Sequence, residues 1–581
     1  MYTIDFETEG IEGNPLVNPP RPIGVGMKRD NLPAVYHVGE DMKPALLEAW
    51  FSDEELIFQN APFDIRVAEY WLGLPVPNWF RVHDTKFLIY LFDPHAKSVS
   101  LKPSAERILG LKLDERDDLR DWVLANVSEA TAKSWGAHIC KAPVELVSKY
   151  CMLDCNLTWD LFLHLYTRVP RDAYNLEREL SLHLMTATQG GIRVDLERLE
   201  RDYHEMVQVQ QDSHNRIFKQ LGEFEITNAT QLANALERAG EVTEWIKTPT
   251  GKRSTSRENL ISVIKTPSLA TELSYSGGLQ TLLGTYMTSW ISLAQQNGGL
   301  LHPSWNQVRN DDDKGTRTGR LSCSGPNIQN VPKPLDIDIP DGLRSLPNMR
   351  DYLLPEEGQI WSSRDFSAQE MRLLAHFEDG LLLKGFQKDP SLDPHAFIQW
   401  LIEELTGVKL SRKHIKGVSF GMIYGMGVPG LSKQLGIDVV ECDRIVSAYH
   451  KAIPGVRELQ RLTKSRGKAN QAIRTIGGRE YYAEAPTIVG NSKRSYEYKL
   501  LNYLIQGSAA DQTKRALLHY FNNKPAGEKF LCTVHDEINI SIDPSESDTC
   551  LAYSMEKAAA VGLDVPMQTT LETGPNWGAL S

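Results

Sequence analysis

The sequence predicts a multidomain protein of mixed α/β and α+β class, and three observations support this fold class. The chain has 581 residues, enough for roughly three or four domains. Alternating strand patterns open the chain, and long helical patterns fill its middle part. A strand–turn–strand pattern over residues 530–542 indicates a β-hairpin near the end.

An α/β domain is predicted over residues 1–170. Its first strand places Tyr2, Ile4 and Phe6 on one face and Asp5 and Glu7 on the other, so the two carboxylates point the same way. The acidic, strand-like N-terminus is not typical of a signal peptide. No apolar run reaches the ~18 residues that a membrane helix needs, so no membrane association is expected.

Beyond this domain, residues 222–300 are predicted to be mixed, and helices are predicted to dominate from Ser367 to about residue 475. Helical patterns run from Tyr174 to Leu221, with a break at Gly190-Gly191. A strand is predicted over residues 359–363, followed by a helix that begins at Ser367. The seven cysteines are scattered and odd in number, which predicts reduced thiols in the cytosol.

The charge distribution is uneven. The formal net charge of −12 argues mildly against a nucleic-acid partner. However, seven basic residues between Arg457 and Arg479 face one acid, Glu458, and a second basic group lies at residues 409–416. A polarised molecule can bind DNA in a basic cleft while it is acidic overall. Solvated helix faces explain the same clusters equally well.

A first group of acidic residues is spread over residues 1–170. Asp5 and Glu7 share a strand face, Asp64 follows Asn60 by four residues, and Tyr150 and Asp154 are one helical turn apart. Carboxylates grouped in this way can hold a hard divalent cation. A solvent-facing strand is the alternative for Asp5 and Glu7.

These motifs, in this order, resemble those of the DnaQ-like 3′→5′ exonucleases, which implies an RNase H-like domain. The resemblance implies two Mg²⁺ ions, one to activate water and one to stabilise the leaving 3′ oxygen. Their ligands would be Asp5, Glu7, Asp64 and Asp154. Tyr150 would orient the water, and Asn60 would support its motif. The segment His83-Asp84-Thr85 also resembles that family, without an expected catalytic role.

A second group of residues lies in the C-terminal half. Asp365 ends an apolar strand and Asp536 lies in a hairpin turn, so both could belong to one metal site. Between them, every fourth residue from Arg412 to Tyr424 lies on one helical stripe, because the drift is only ~40° per step. The cationic half of this stripe is suited to bind a triphosphate, and the aromatic half is suited to bind a sugar and a base. An ordinary amphipathic helix is the alternative.

The C-terminal motifs resemble family A DNA polymerases, of which bacterial polymerase I is a member. Asp365–Arg372, Arg412–Gly425 and Val534–Glu537 resemble motifs A, B and C, and the resemblance is collinear over essentially the whole chain. It implies a right-hand polymerase with palm, fingers and thumb. The expected domains are the exonuclease at 1–170, thumb at 171–300, palm at 301–375, fingers at 376–499 and second palm segment at 500–581.

The resemblance also implies roles for individual residues. Asp365 and Asp536 would hold two Mg²⁺ ions, for which Mn²⁺ can substitute, and Glu537 would be an auxiliary catalytic carboxylate. The residues expected to bind the dNTP are Arg412, Lys416, Phe420, Tyr424 and Glu370. The residues expected to contact the primer–template are Arg320, Gln329, Asn330, Asn502, Gln506 and His535.

Motif A departs from the family pattern at Ala368-Gln369, where an aliphatic residue is usual. This departure leaves the local packing and the tightness of sugar selection open. Glu370 has two interpretations. It would close the space that a ribose 2′ hydroxyl needs, and Ser367-x-x-Glu370 is also a capping box for the following helix.

The expected function is DNA-directed DNA synthesis with 3′→5′ exonucleolytic proofreading. The expected partners are primer–template DNA and dNTPs, with a replicative helicase or primase as a candidate, and the protein is expected to be a cytoplasmic monomer. A start at the exonuclease strand, with no 5′ nuclease, favours phage-type replication in a host cytoplasm. The alternatives are a dedicated exonuclease whose C-terminal half only binds DNA, and a non-enzymatic single-strand-binding protein. Processivity, strand displacement and reverse transcription stay open.

Overall fold

A five-stranded mixed sheet forms the centre of the N-terminal region. The computed structural model describes residues 1–112, 115–248, 250–309, 315–334, 337–489 and 492–580. The strands of the first sheet are β1 (Tyr2–Thr8), β2 (Pro22–Arg29), β3 (Val35–His37), β4 (Leu56–Phe58) and β5 (Val82–Asp84). The helices of this region are α1 (Met42–Phe51), α2 (Ala61–Leu72), α3 (Thr85–Phe92), α4 (Leu101–Leu109), α5 (Glu115–Asn126) and α6 (Val144–Leu165).

The strand order of this sheet is β3-β2-β1-β4-β5, with the first three strands antiparallel and the last two parallel to β1. Helix α6 packs across β1 and β2. Thr3 and Glu7 are therefore buried, although they lie on the strand face that alternation alone leaves polar. The solvent-facing alternative for this strand is wrong, because α6 covers it.

The next region consists of helices and short strands. Its elements are α7 (Arg171–Gly190), β6 (Ile192–Val194), α8 (Leu196–Leu221), α9 (Ala229–Arg238), α10 (Arg257–Val263), α11 (Pro267–Thr281), α12 (Thr288–Gln296) and β7 (Leu300–Leu301). The predicted break at Gly190-Gly191 is confirmed, because α7 ends there. Gly191 has φ +60°, and a Cβ on it would lie 2.8 Å from the His302 ring, so the turn into β6 needs glycine.

A second sheet carries the C-terminal acidic residues. The elements up to its first helix are β8 (Ser304–Asn306), β9 (Ser322–Ser324), β10 (Leu353–Leu354), β11 (Ile360–Phe366) and α13 (Gln369–Glu378). The strands and helices that close the chain are α20 (Leu500–Asn523), β16 (Lys529–Val534), β17 (Glu537–Ile542), α21 (Thr549–Glu556) and β18 (Thr569–Gly574). The antiparallel sheet has the order β16-β17-β11-β18. The predicted hairpin is confirmed as β16 and β17.

Six helices and two small hairpins lie between α13 and α20. The helices confirm the prediction that helical structure dominates up to about residue 475. The elements of this part are α14 (Leu381–Lys388), α15 (Pro394–Thr406), α16 (Arg412–Ile423), α17 (Val428–Leu435), α18 (Val439–Ala452), α19 (Pro454–Lys468), β12 (Ile473–Arg474), β13 (Glu480–Tyr481), β14 (Thr487–Val489) and β15 (Ser492–Arg494). One large apolar core joins these helices to α13, α20 and the second sheet.

Four buried charged residues join three distant segments of the chain. The Arg479 guanidinium contacts Glu177 of α7 and lies 2.5 Å from Asp511 of α20. Lys514 Nζ lies 2.6 Å from the same Glu177 carboxylate. All four side chains are almost completely buried. This buried ionic cluster fixes α7 and the β12–β13 hairpin against α20.

Two further sequence expectations concern cysteines and membranes. All seven cysteines carry free thiols. Over the described ranges, no helix combines the length and the apolar character required to span a bilayer.

Candidate active sites

Two carboxylates meet at the end of the second sheet. Asp365, at the end of β11, pairs in register with Glu537, the first residue of β17. The Phe366 amide donates to the backbone carbonyl of Asp536 at 3.3 Å. His535 has φ +59° in the turn between β16 and β17. The turn therefore brings Asp536 beside Asp365, as the sequence predicts.

The electrostatics of this pair favour a bound cation. Burial, followed by the negative charges of Asp536 and Glu537, raises the pKa of Asp365 to about 7. Burial also raises the pKa of Asp536. The Glu537 carboxylate accepts hydrogen bonds from Asn539 Nδ2 at 2.7 Å and from Trp577 Nε1 at 3.3 Å. Glu537 is thus fixed by neighbours in and beside the second sheet. Asp365 and Asp536 carry like charges that a cation would neutralise.

A cleft of about 670 Å³ lies above these carboxylates. It brings together residues from six separate segments of the chain, and most of the residues predicted to bind nucleotide line it. The predicted residues that line it are Arg320, Glu370, Arg412, Lys416, Phe420, His535 and Asp536. Its position between the carboxylates and α16 gives one cavity with acidic and basic walls.

Helix α16 presents the predicted stripe to this cleft. Ser411 caps the helix by accepting a hydrogen bond from the His414 amide at 3.1 Å. The Arg412 guanidinium lies 2.7 Å from Asp393, a residue that the sequence analysis missed. Asp393 also caps α15, and no local pattern distinguishes that role from pairing with Arg412. Phe420 and Tyr424 stack at the other end, with ring centroids 6.1 Å apart.

Glu370 contacts both the basic and the aromatic wall. One carboxylate oxygen forms an ion pair with Arg320, and the other lies 3.4 Å from the Tyr424 hydroxyl. The predicted capping box is wrong, because α13 begins after Ala368, which has φ +56° and provides no side-chain cap. A left-handed Ala368 turns the chain so that Glu370 points into the cleft.

The unusual Gln369 is buried against α20. Its amide nitrogen donates to Gln512 Oε1 at 3.0 Å and to Thr513 Oγ1 at 3.2 Å. A polar residue is therefore accommodated here by polar partners on α20, which answers the packing question that motif A leaves open.

Two of the residues predicted to contact the primer–template, Arg320 and His535, line the cleft, and the other four lie outside its lining. Asn502 and Gln506 lie one turn apart on α20, and Gln506 is close enough to the Tyr424 hydroxyl to hydrogen-bond. Gln329 donates to the Thr533 carbonyl at 2.9 Å and so anchors its loop to β16. Asn330 has an exposed side chain, and its carbonyl accepts a hydrogen bond from Tyr286.

The second acidic cluster lies where β1 meets α2 and α6. Carboxylate oxygens of Asp5 and Glu7 and the Cys151 sulfur all lie within 4.8 Å of one another. Asp64, on α2, accepts a hydrogen bond from the Phe6 amide at 3.0 Å, which fixes it beside β1. Asp154, on α6, completes the predicted set, and its charge raises the pKa of both Asp5 and Glu7.

Burial and mutual repulsion perturb this cluster strongly. Burial, followed by Asp154, raises the pKa of Asp5 to about 7. Burial and Asp5 raise the pKa of both Glu7 and Asp64 well above the ordinary carboxyl range. Such a concentration of buried carboxylates is typical of a divalent-cation site, because the cation removes the repulsion.

Lys102 belongs to this cluster, and the sequence analysis missed it. Its ammonium nitrogen lies 2.7 Å from Asp154 Oδ1 and 3.0 Å from the centre of the Tyr150 ring. The side chain is buried although it is the second residue of α4. A lysine among Leu101, Ser104 and Ala105 on the buried side of α4 is the only local signal, and it predicts no particular partner.

The segment around Asp84 has a structural role. Its carboxylate accepts hydrogen bonds from the amides of Asn60, Ala61 and Lys86, at 2.9 to 3.0 Å. These bonds fix Asn60, which has φ +76°, at the start of α2. Asp84 therefore supports the helix that carries Asp64.

Comparison with known proteins places the chain among DNA polymerases. The family model described as DNA polymerase family A matches residues 196–579. The chain is 29% identical over 481 residues to the thermostable DNA polymerase I of Thermus filiformis, across 81% of this chain and 56% of that protein. It is 25% identical over 633 residues to DNA polymerase DpoZ of Salmonella phage PMBT28, across 99% of this chain and 96% of that protein.

The coverage differs between these relatives. The chain spans 56% of the length of the Thermus filiformis enzyme, and also of Borreliella burgdorferi DNA polymerase I, with which it shares 27% identity. Among solved structures, the POL domain of Pol1 from M. smegmatis in complex with DNA primer-template and dNTP has a TM-score of 0.76 at 21% identity. That likeness covers 98% of this chain and 99% of the other, and it shows a shared fold.

Proposed function

Because the chain belongs to DNA polymerase family A, we propose that it extends a DNA primer on a DNA template with dNTPs and removes mismatched 3′ ends. The polymerase reaction would take place in the 670 Å³ cleft between the second sheet and α16. The observation that carries this proposal is the arrangement of Asp536, Arg412 and Lys416 around one cavity, with Asp365 paired to the adjacent strand. Nucleotidyl transfer needs this combination of acidic and basic groups.

The like-charged Asp365, which is exposed, and Asp536, which is half-buried, fit a pair of Mg²⁺ ions, for which Mn²⁺ can substitute. When bound, such metals stabilise the charge on the attacking 3′ oxygen and on the departing pyrophosphate. Arg412 and Lys416 would bind the triphosphate. The pair of Arg412 with Asp393 is half exposed and contributes ~0–1 kcal/mol, so releasing Arg412 to a triphosphate costs little.

The aromatic end of α16 would select the nucleotide. Phe420 would pack on the deoxyribose, and Tyr424 would border the templating base. Glu370 would close the space beside the sugar, held there by Arg320 and Tyr424. Primer and template would contact His535, Gln329, Asn330, Asn502 and Gln506. The M. smegmatis Pol1 neighbour is described as bound to DNA primer-template and dNTP, which supports these ligands.

We propose that residues 1–170 form an RNase H-like 3′→5′ exonuclease domain. The mixed sheet order β3-β2-β1-β4-β5 and the four clustered carboxylates support this assignment. Asp5, Glu7, Asp64 and Asp154 would hold divalent cations that activate water and stabilise the leaving oxygen. Tyr150 would orient the water from its position above Lys102.

The proposed polymerase domains follow the same positions as the sequence predicts, with thumb at 171–300, palm at 301–375 and 500–581, and fingers at 376–499. Full-length similarity to the phage DpoZ enzymes, across 99% and 94% of this chain, favours a role in phage-type DNA replication.

Primer extension tests the polymerase proposal. A labelled primer on a DNA template should grow only when the dNTP that matches the next template base is present. Asp536→Asn should abolish extension, whereas Asp543→Asn, a control in an exposed loop beyond β17, should not. Extension that is independent of the template, or that survives Asp536→Asn, would contradict the proposed site.

A further inference from the structure

Tyr90 connects the N-terminal region to the loop that carries Arg320. The residue lies on α3, and its ring packs in a buried apolar cluster of residues 1–170. Its hydroxyl donates a hydrogen bond to the Arg317 backbone carbonyl at 2.8 Å, across 227 residues of sequence. A buried hydroxyl normally has a hydrogen-bond partner, and here that partner lies outside the N-terminal region.

The loop from Thr316 to Arg320 is a compact turn. The Thr316 hydroxyl donates to the Arg320 carbonyl at 2.9 Å, and the Gly319 amide donates to the Thr316 carbonyl at 3.4 Å. Gly319 has φ +80°, and a Cβ on it would lie 3.1 Å from the Arg479 guanidinium, so the turn packs against the buried ionic cluster. Because these bonds join both ends of the turn, a shift of the Arg317 carbonyl would also move Arg320.

Arg320 places the end of this turn at the cleft. Its guanidinium forms an ion pair with Glu370, and both residues line the cleft. The Tyr424 hydroxyl lies 3.4 Å from the other Glu370 oxygen, a distance at which a hydrogen bond is weak. The ion pair with Arg320 is therefore the stronger of these two contacts that hold Glu370.

The Arg317 side chain provides a second attachment for the turn. Its guanidinium lies 3.5 Å from the Glu484 carboxylate, and 39% of the Arg317 side chain is exposed, so solvent screens this ion pair. Glu484 also accepts hydrogen bonds from Lys499 and Tyr503. The turn is thus held from two sides, and loss of the Tyr90 bond alone should shift Arg320 without unfolding the loop.

We propose that Tyr90 is a positioning residue for sugar selection in the polymerase cleft. Its hydrogen bond to the Arg317 carbonyl holds Arg320 against Glu370, and this ion pair holds Glu370 beside the sugar of the incoming nucleotide. The inference rests on the proposed polymerase function and on the proposed role of Glu370. It makes a residue of the proposed exonuclease region part of the support of the polymerase site.

The ratio of kcat/KM for dCTP over CTP tests this positioning role, because the fraction of folded enzyme cancels in the ratio. Tyr90→Phe removes only the hydroxyl. Loss of one hydrogen bond should lower the ratio by about threefold to tenfold. The matched control Tyr70→Phe, at an exposed tyrosine of α2, should leave the ratio unchanged.

A double-mutant cycle shows whether Tyr90 acts through Glu370. In Glu370→Ala no carboxylate remains to be positioned, so adding Tyr90→Phe should change the ratio by less than about twofold. The inference is overturned if Tyr90→Phe keeps the ratio of the parent, or if Tyr70→Phe lowers it equally. Additive effects of Tyr90→Phe and Glu370→Ala would also overturn it, because Tyr90 would then act by another route.

The same assay separates this inference from the proposed function. If the parent extends a primer and Tyr90→Phe keeps the ratio of the parent, the polymerase proposal stands and the positioning role fails. If Glu370→Ala leaves the ratio unchanged, the role of Glu370 fails, and the positioning role fails with it. A parent that does not extend a primer refutes the polymerase proposal and this inference together.

Discussion

Arg479 is the centre of the buried ionic cluster, and its replacement by methionine should destabilise the whole polymerase region. The guanidinium, with 1% of its side chain exposed, contacts Glu177 and Asp511, both fully buried. Burial alone would lower the pKa of Arg479, but the charges of Glu177 and Asp511 outweigh burial and raise it well above the ordinary value. The cation is therefore required by its partners.

The size of the expected loss of stability follows from the interactions that remain after Arg479→Met. Asp511 keeps hydrogen bonds from the Thr475 hydroxyl at 2.5 Å and the Gly477 amide at 2.9 Å, but it loses its ion pair. Removing one partner of a buried pair costs about 3–5 kcal/mol. The matched control is Arg461→Met, whose pair with Glu458 is 66% and 51% exposed. Loss of this exposed pair should leave the free energy of unfolding almost unchanged, because solvent screens it.

Urea unfolding, monitored by tryptophan fluorescence, measures both losses. We expect a much lower midpoint for Arg479→Met and a nearly unchanged midpoint for Arg461→Met. Arg479→Met should also bind primer–template more weakly, because the buried ionic cluster fixes α20, which carries Asn502 and Gln506. Equal midpoints for the two variants would refute the reasoning, since the cluster would then contribute no more than an exposed pair.

The pH dependence of the free energy of unfolding provides a second check on this prediction. Burial would raise the pKa of Glu177, but Lys514 and Arg479 outweigh it and lower the pKa below its ordinary value. A carboxylate with a lowered folded-state pKa stabilises the fold fully above its unfolded pKa of ~4.3. This contribution is lost as the pH falls through the lower folded value. The loss should be smaller in Arg479→Met.

Three further substitutions test individual side chains. Glu370→Ala should lower the ratio of kcat/KM for dCTP over CTP, whereas Glu370→Gln, which keeps the volume, should preserve it; an unchanged ratio in the alanine variant would remove Glu370 from sugar selection. Phe420→Tyr adds a hydroxyl that can replace the missing 3′ hydroxyl of a dideoxynucleotide, so single-turnover incorporation of ddTTP relative to dTTP should rise at least about tenfold; equal ratios would mean that Phe420 does not face the sugar. Lys102→Met should slow digestion of a mismatched 3′ end by about 100-fold through misplacement of Asp154 and leave primer extension intact. The control Lys97→Met, at an exposed residue, should leave both activities intact. Normal digestion by Lys102→Met would show that Lys102 only fills space.

Local patterns predicted the elements that carry the acidic residues. Helical periodicity predicted α16 closely and placed Tyr150 and Asp154 on one helix, and period-two alternation predicted the β16–β17 hairpin. Both patterns depend on which face of an element is apolar. The spacing of Tyr150 and Asp154 on one helix face needs no tertiary information. Strand-end positions also predicted that Asp365 and Asp536 meet.

Contacts between distant segments could not be predicted in this way. Lys102 meets Asp154 only because α4 packs against α6, and Arg479 meets Glu177 across 302 residues of sequence. The capping box failed for a related reason. Ser367 and Glu370 have the correct spacing, but the backbone at Ala368 is left-handed, and Glu370 pairs with Arg320 across the cleft instead of capping its own helix.

The central claim is that two separate acidic clusters perform two separate reactions, and a primer with a mismatched 3′ end tests it most directly. The assay follows digestion and extension of that primer by the parent, by Asp5→Ala combined with Glu7→Ala, and by Asp536→Asn. We expect the double variant to lose digestion and still extend a matched primer, and Asp536→Asn to digest the primer but not to extend it. Loss of both reactions in the folded double variant would contradict it.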